Sequence, residues 1–542
     1  MGWRLGAAGL LALATFTAAG GQEKGPQRTA NEIDRLIDRD LAAAGVPASP
    51  PADDGEFLRR ATLDITGRIP TYDETLAFLE SGDPHKRQAA VDRLLESPAY
   101  GLHFATIWNE LIVPRDKGST KTARDPFTPW LADQFNRGRG WDAIVRELLT
   151  AEGKIRDNPS TGYIAANCEN FDPQPNLLAD STARLFLGIQ LRCAECHDHP
   201  FAPWKQGDFW GVAAYFSRLR RGYLDGKNPT GWTFTESLPE DETNRKFSTT
   251  IAAPDVAGAA LVVPETGGKL ARHVVRARFL NGAGEAEGGE QPFRPQLAAL
   301  VASRENPWFA ANAANRLWAK LFGRGLIEPL DSFSADNSPE NNELLVLLAR
   351  ELADSGFDLK HVIRVIANTR AYQRTSRALP GNKDDRERHS HMAVKPMRPE
   401  MLYDSLSILL YPPMPKAGGK PQPLGQPQAI PQNPRDEFVR AFAMRPDDTV
   451  GSEVNTGLPQ FLKLLNGDLL SRESPGQTRL LKGQAEPQEA IDAIYLATLA
   501  RLPMAEERRW MLDYVAGSES QRDGLGGVLW TLVNSGEFVL NH

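Results

Sequence analysis

The chain has 542 residues, 41% of them hydrophobic and 24% charged, with 62 basic against 69 acidic side chains and a formal charge of −7. That length accommodates roughly two to four domains, and the composition excludes a disordered or fibrous chain. The mild acidity argues against a general nucleic-acid or anionic-membrane binder, and 3 cysteines are too few for a disulfide scaffold.

In chain order, the apolar run from Leu5 to Ala19, preceded by Trp3 and Arg4, is too short to span a bilayer and lacks amphipathic spacing. It predicts a secretory signal peptide over residues 1–21, with small residues at Ala18, Ala19, Gly20 and Gly21 offering cleavage points. No cysteine occurs before Cys168, which argues against a lipid anchor there, and no later stretch reaches the roughly 20 apolar residues of a spanning helix. The mature chain is therefore expected outside the cytoplasm, in the periplasm or cell envelope, without a transmembrane segment and without nucleic acid as a partner.

Residues 30–219 read as a first, helical module. Thr71 with Glu74 forms a capping box for a helix carrying Leu76 and Leu79. Ala90, Val91, Leu94 and Leu95, then Phe104, Trp108, Leu111 and Ile112, describe two short amphipathic helices separated by Ser97-Pro98. Trp141 to Thr150 and Ser181 to Leu191 continue the helical period. Residues 220–292, rich in Gly, Pro, Asp and Glu, read as a connector with short strands near Ala260 to Val263 and His273 to Phe279. Helical spacing resumes in a second module, residues 293–542, at Pro307 (Phe309, Ala313, Leu317, Leu321), at Glu343 to Ser355, and after Asp358 (Val362, Ile363, Ile366). Tyr411 to Pro434 reads as a long extended loop, and Ile491, Ile494, Tyr495, Thr498 and Leu499 mark a further helix. The fold class expected is mainly α: two helical modules joined by a Gly/Pro-rich connector with a few short β-strands. No solenoid repeat is present, but Arg68-Ile69-Pro70-Thr71 echoes Arg501-Leu502-Pro503-Met504, each followed by a glutamate, Glu74 and Glu506. Proline near a helix start accounts for most of that likeness.

One motif is chemically specific. Cys193-Ala194-Glu195-Cys196-His197 has the C-x-x-C-H form of a c-type haem attachment site, in which two thiols form thioethers and the imidazole is an axial ligand. With 3 cysteines and 9 histidines in the chain, composition rarely yields this pattern. A disulfide or redox dithiol and a zinc site using Cys193, Cys196, His197 and His199 remain as alternatives, although four ligands within seven residues crowd a tetrahedron. As metal ligands the histidines to consider are His197 and His199. A distal ligand would come from a histidine such as His103, His361, His389 or His391, from Met392 or Met397, or from nothing; structural roles are the simpler reading of those four histidines. Phe201, Trp204, Phe209, Trp210, Tyr215 and Phe216 suit either a wall around a macrocycle or plain core. Asp198 reads as an orienter of an imidazole rather than a nucleophile.

The segments Phe57 to Asp64, Gly67 to Pro70, Leu94 to Gly101, Ala183 to Gly188 and Cys193 to Phe201 resemble the DUF1549 domain, the planctomycete cytochrome-associated PSCyt2. Asn315 to Trp318, Phe322 to Gly325, Ser355 to His361, Arg370 to Gln373 and Leu529 to His542 resemble DUF1553, or PSD1. The resemblance implies an exported protein, of a kind often found beside cytochrome c domains, with no assigned activity. The reading that follows is an exported haem c protein of the cell envelope, serving a redox partner protein by electron transfer or acting in haem-dependent oxidation or sensing. The alternative is a non-haem binding or scaffold module for polysaccharide or a partner protein, with a structural or zinc-binding Cys/His cluster. The sequence leaves enzymatic activity and oligomeric state open.

Overall fold

Prolines at first helical positions and short polar caps set where the helices begin. The computed structural model describes residues 25–114, 121–169, 172–222, 233–236, 251–252, 260–264, 272–282, 292–334, 337–411, 435, 438–439, 474–482, 484 and 486–542. The expected signal peptide and all but the first residue of the 411–434 loop lie outside them. The fold is mainly α. The first module contains α1 (Pro26–Ala44), α2 (Asp54–Thr66), α3 (Tyr72–Glu80), α4 (Lys86–Glu96), α5 (Pro98–Ile112), α6 (Lys121–Asn136), α7 (Trp141–Thr150), α8 (Gly162–Ala166), α9 (Pro175–Thr182) and α10 (Gln206–Ala214). The Thr71–Glu74 capping box forms, and Ala90, Val91, Leu94 and Leu95 are buried on α4. On α3, Thr75 and Phe78 face the core, with Leu76 and Leu79 only half-buried. The helix expected over 181–191 starts earlier, with Pro175 at its first turn, passes into a π-helical turn over Ala183–Leu187 and stops at Gly188, whose φ of 69° is left-handed.

Short antiparallel strands occupy the connector and its flanks: β1 (Gly153–Lys154), β2 (Cys168–Glu169), β3 (Asp172–Pro173), β4 (Leu219–Gly222), β5 (Thr233–Glu236), β6 (Ile251–Ala252), β7 (Ala260–Pro264) and β8 (Arg272–Arg276). They form the sheets β1-β5-β4 and β6-β7-β8 and the ribbon β2-β3. The second module comprises α11 (Arg294–Val301), α12 (Pro307–Phe322), α13 (Glu343–Asp354), α14 (Leu359–Ala367), β9 (Lys395–Pro396), α15 (Pro399–Leu410), α16 (Pro475–Leu481), α17 (Pro487–Leu499), α18 (Ala505–Ala516), α19 (Gln521–Val533), α20 (Gly536–Val539) and β10 (Leu540–Asn541), with β10 paired to β9. Asp358 caps α14 by accepting from the amides of Lys360 and His361.

One hydrophobic cluster runs from Ile33 through Trp141 and Phe186 to Trp318, Ile363 and Met392, so its residues come from both modules. A second gathers Leu63 and Ile69 with Met397, Leu406, Ile491, Tyr495 and Leu529. Helix α2 lies between the two and is buried from Gly55 to Thr66, including the ionisable side chains of Glu56, Arg59, Arg60 and Asp64. Arg59 donates to the carbonyls of Thr498 (2.8 Å) and Phe538 (2.6 Å). Arg60 donates to the carbonyls of Tyr372 (2.6 Å) and Arg374 (2.9 Å) and pairs with Glu56 at 2.7 Å. Asp64, fully buried, accepts from both Lys395 Nζ (2.8 and 2.9 Å), Tyr372 Oη (2.9 Å) and Asn541 Nδ2 (2.8 Å). Burial pulls the Arg59 guanidinium down to about 10 and pushes the Tyr372 phenol well above its usual range. A third buried arginine, Arg294, collects the carbonyls of Leu149 and Ala151 at the end of α7 and the carboxylates of Glu152 and Glu236. These guanidiniums supply donors to carbonyls that helix ends and loops leave unpaired.

The short internal echo has a structural counterpart. Arg68 grips Glu74 through two hydrogen bonds of 2.9 Å, and Glu74 accepts from the amide of Thr71. Arg501 grips Glu507 in the same way at 2.7 and 2.9 Å, and Glu507 accepts from the amide of Met504. The matching acid is therefore Glu507 rather than Glu506, because the bidentate fork needs the same six-residue step in both copies. Each unit is a helix ended by a left-handed residue, Gly67 or Ala500, followed by a proline turn and a second helix.

Two stability measurements follow from this interior. Asp64→Ala leaves the Lys395 ammonium buried without its carboxylate and is expected to cost about 3–5 kcal/mol in urea unfolding. Arg35→Ala, which removes an exposed pair with Glu32, should cost less than about 1 kcal/mol. Lys320 has no hydrogen bond or ion pair among the described residues, and burial, with Lys395 and Arg398 nearby, lowers its ammonium to about 7. The unfolded chain holds that proton up to about 10.5, so stability rises with pH between those values, by at most about 1.4 kcal/mol per unit. Lys320→Met should reduce the slope of unfolding free energy against pH between about 7.5 and 9.5, and an unchanged slope would contradict this account.

Candidate functional site

The C-x-x-C-H segment follows the left-handed stop at Gly188, where a side chain would run into Asn312 and Phe333. Ile189 and Leu191 then bury, and the chain turns through a 3₁₀ helix over Arg192–Glu195 whose Ala194 points inward. The alternation leaves Cys193, Cys196 and His197 exposed on the outer side of the turn. The turn is held from beneath by α10 and α9. Trp210 Nε1 donates to the Glu195 carbonyl at 2.9 Å, and Gln206 Nε2 donates to the carbonyls of Glu195 and Cys196 at 3.2 Å each. Asn176 donates to the Glu195 carboxylate at 2.9 Å, and the Asp198 carboxylate accepts from the Gln206 amide at 3.0 Å. Asp208 caps the start of α10 and pairs with Arg278 at 3.2 Å.

The two histidines of the segment are set differently. His197 Nδ1 lies 2.8 Å from the carbonyl oxygen of Asp198, which can only accept, so Nδ1 carries the proton and Nε2 is left with its lone pair. His199 Nδ1 instead accepts from the amide of Phe201 at 3.1 Å, which in the neutral ring places the proton on Nε2. His197 thus presents a ligand nitrogen, whereas His199 is committed to its own loop. Asp198 orients the His197 imidazole through its main chain rather than through its carboxylate.

The aromatic residues around the motif divide sharply. Trp204, Phe209, Trp210, Tyr215 and Phe216 are core, and Trp204 packs edge-on against Trp308 at 5.8 Å. Phe201 alone stands out, at 88% exposure. Met392 and Met397 are buried in the two hydrophobic clusters. His389 is enclosed against Trp318 and Phe322, where burial lowers it to about 4, and His361 pairs with Glu351 at 2.6 Å. His103 is buried, its charge opposed by burial and by Lys320, Arg398 and Arg435, and His391 Nδ1 lies 3.3 Å from the Ser390 hydroxyl. Among the described residues no three His, Cys, Asp or Glu side chains converge to hold a metal ion, and Cys193, Cys196, His197 and His199 do not form such a group. The Asp64, Lys395, Tyr372 and Asn541 centre went unread as an interaction in the sequence; its signal was charge, Arg59, Arg60 and Asp64, inside the otherwise buried stretch 55–66.

Residues 32–221 match PSCyt2, a protein of unknown function (DUF1549), and residues 293–515 match PSD1, a protein of unknown function (DUF1553), in that order. No curated protein and no solved structure matches the chain. No helix among the described residues is long and apolar enough to cross a membrane.

The exposure pattern has a direct chemical readout. In protein purified without haem, a disulfide-exchange reagent such as dithionitrobenzoate should titrate the two thiols of Cys193 and Cys196 rapidly, and the buried Cys168 only after denaturation. Three fast thiols, or none, would contradict the placement.

Proposed function

We propose that this chain, a member of the PSCyt2 and PSD1 families, is an exported c-type haem protein whose attachment residues are Cys193 and Cys196 and whose axial ligand is His197 Nε2. The observation that carries the reading is the His197 hydrogen bond to the Asp198 carbonyl, which fixes the tautomer that can ligate iron, beside two solvent-reachable thiols on the same turn. The donor set therefore suits the group: both thiols can be alkylated from solvent, and the imidazole is oriented before the group arrives. Haem held there supplies one-electron redox chemistry. Gln206 and Trp210 keep the turn from unwinding by engaging its carbonyls, so Cys193, Cys196 and His197 stay in register. Exposure of the turn gives a redox partner protein access from solvent, and Phe201 is the one large apolar side chain of the turn available to such a contact.

Expression into a periplasm with cytochrome maturation machinery tests this. Wild-type protein is expected to carry one covalent haem per chain, seen by haem staining after denaturing electrophoresis and by a pyridine haemochrome spectrum. Cys196→Ala should retain a single thioether, the Cys193→Ala/Cys196→Ala pair none. His197→Ala should move the Soret band while His199→Ala leaves it in place. Wild-type protein emerging without haem beside a loaded control cytochrome would overturn the proposal.

A further inference from the structure

Large apolar side chains left in solvent are concentrated in one place. Of those exposed among the described residues, Trp510, Tyr514 and Trp530 lie on the hairpin of α18 and α19 and Leu502 and Met504 on the turn that leads into α18, while Phe201, Val274, Val394 and Tyr411 lie elsewhere. The two helices cross closely through glycines: Gly524 lies against the Val515 backbone, and a side chain at Gly527 would meet the Tyr514 ring at 2.7 Å. Tyr514 therefore lies across α19 at Gly527, three residues before Trp530, while Trp510 is one turn before Tyr514 on α18. The rings are 56%, 54% and 40% exposed for Trp510, Tyr514 and Trp530. Buried Val515 with half-buried Met511 and Leu512 forms the inner face of α18, so none of the three rings is needed to close the core.

The neighbours of these rings on α18 are charged. Glu506, Arg509 and Asp513 are exposed on the same helical face as Trp510 and Tyr514, and none has a hydrogen bond or ion pair from its side chain among the described residues. Carboxylates beside tryptophans disfavour a protein-docking core, where Asp and Glu are depleted. Two acids against one base, on a chain of net charge −7, disfavour an anionic lipid surface. Flat aromatic faces flanked by unpaired acceptors and a guanidinium match a neutral ligand with apolar C–H faces and a rim of hydroxyls. We propose that the α18–α19 hairpin is a binding platform for an extended neutral polysaccharide, with Trp510, Tyr514 and Trp530 stacking on sugar rings and Glu506, Arg509 and Asp513 bonding their hydroxyls. The rise between Trp510 and Tyr514, four residues at about 1.5 Å each or about 6 Å, is comparable with the advance per unit of an extended glycan. This site is separate from the C-x-x-C-H turn and needs no haem.

The test is native affinity electrophoresis of the full chain in gels containing hydroxyethylcellulose, xylan, laminarin or mannan, with vesicle flotation on phosphatidylglycerol liposomes in parallel. Retardation in at least one neutral polymer is expected, weakened at least tenfold in Trp510→Ala/Trp530→Ala and partly restored in Trp510→Phe/Trp530→Phe, with thermal unfolding unchanged. Cys193→Ala/Cys196→Ala should bind as wild type, which separates this site from the haem reading. Retardation in none of the polymers, retardation indifferent to Trp510 and Trp530, or flotation that depends on those tryptophans would overturn the proposal. So would acrylamide quenching that finds Trp510 and Trp530 shielded in the free protein, since the face would then be covered by the chain itself.

Discussion

The burial of four charged side chains, Glu56, Arg59, Arg60 and Asp64, on a single helix constrains everything else in this structure. Helix α2 places Arg59, Arg60 and Asp64 where water cannot reach them, and a charge so placed is tolerable only if it is hydrogen-bonded by other protein groups. The partners come from far along the chain: Thr498 and Phe538 for Arg59, Tyr372 and Arg374 for Arg60, Lys395, Tyr372 and Asn541 for Asp64. Each partner must be within about 3 Å and correctly oriented, so the first module cannot settle against the second in an approximate way. Hydrophobic area brings the modules together; these bonds select one arrangement among the many that would bury similar area.

That rigidity explains how a short turn can expose its most reactive side chains and still be ordered. The 192–197 segment has little apolar surface of its own, and the inward-pointing Ala194 is small. Its conformation is imposed by α10 beneath it, whose Gln206 and Trp210 engage the turn's carbonyls, and α10 in turn rests on buried Phe209, Tyr215 and Phe216. The reactive thiols and the imidazole are thus presented by a scaffold whose stability does not depend on them. Hydrogen-bonding His197 through its neighbour's carbonyl extends the same principle to one atom, because it fixes which nitrogen faces outward.

The paired units built on Arg68–Glu74 and Arg501–Glu507 show one local device put to two uses. In both, a left-handed residue ends a helix, a proline turn leads to the cap of the next, and an arginine–glutamate fork braces the bend. The first copy supplies Leu63 and Ile69 to a shared core and is covered by the second module. The second copy ends in α18, whose outer face stays in solvent with its aromatic rings. The bend is a property of local chemistry; whether the helix after it becomes core or surface depends on what packs over it.

The sequence by itself determined the capped start at Thr71 and the helices with strong period, such as Trp141 to Thr150 and the α14 helix after Asp358, because capping and amphipathic spacing act within a few residues. It also determined the order of the two family regions and the C-x-x-C-H pattern, since those are written in residue order. It misplaced the helix around Ser181, where a π-helical turn and Gly188 override the apolar period, and it aligned the wrong glutamate in the second proline turn. Only the tertiary structure decided that Phe201 is exposed while Trp204 is buried, that Met392 and Met397 are core, and that Asp64 meets Lys395 across 331 residues of chain. Those facts depend on which surfaces meet in three dimensions, and the energy of burying a charge or an aromatic ring belongs to the contact between segments, not to either segment alone.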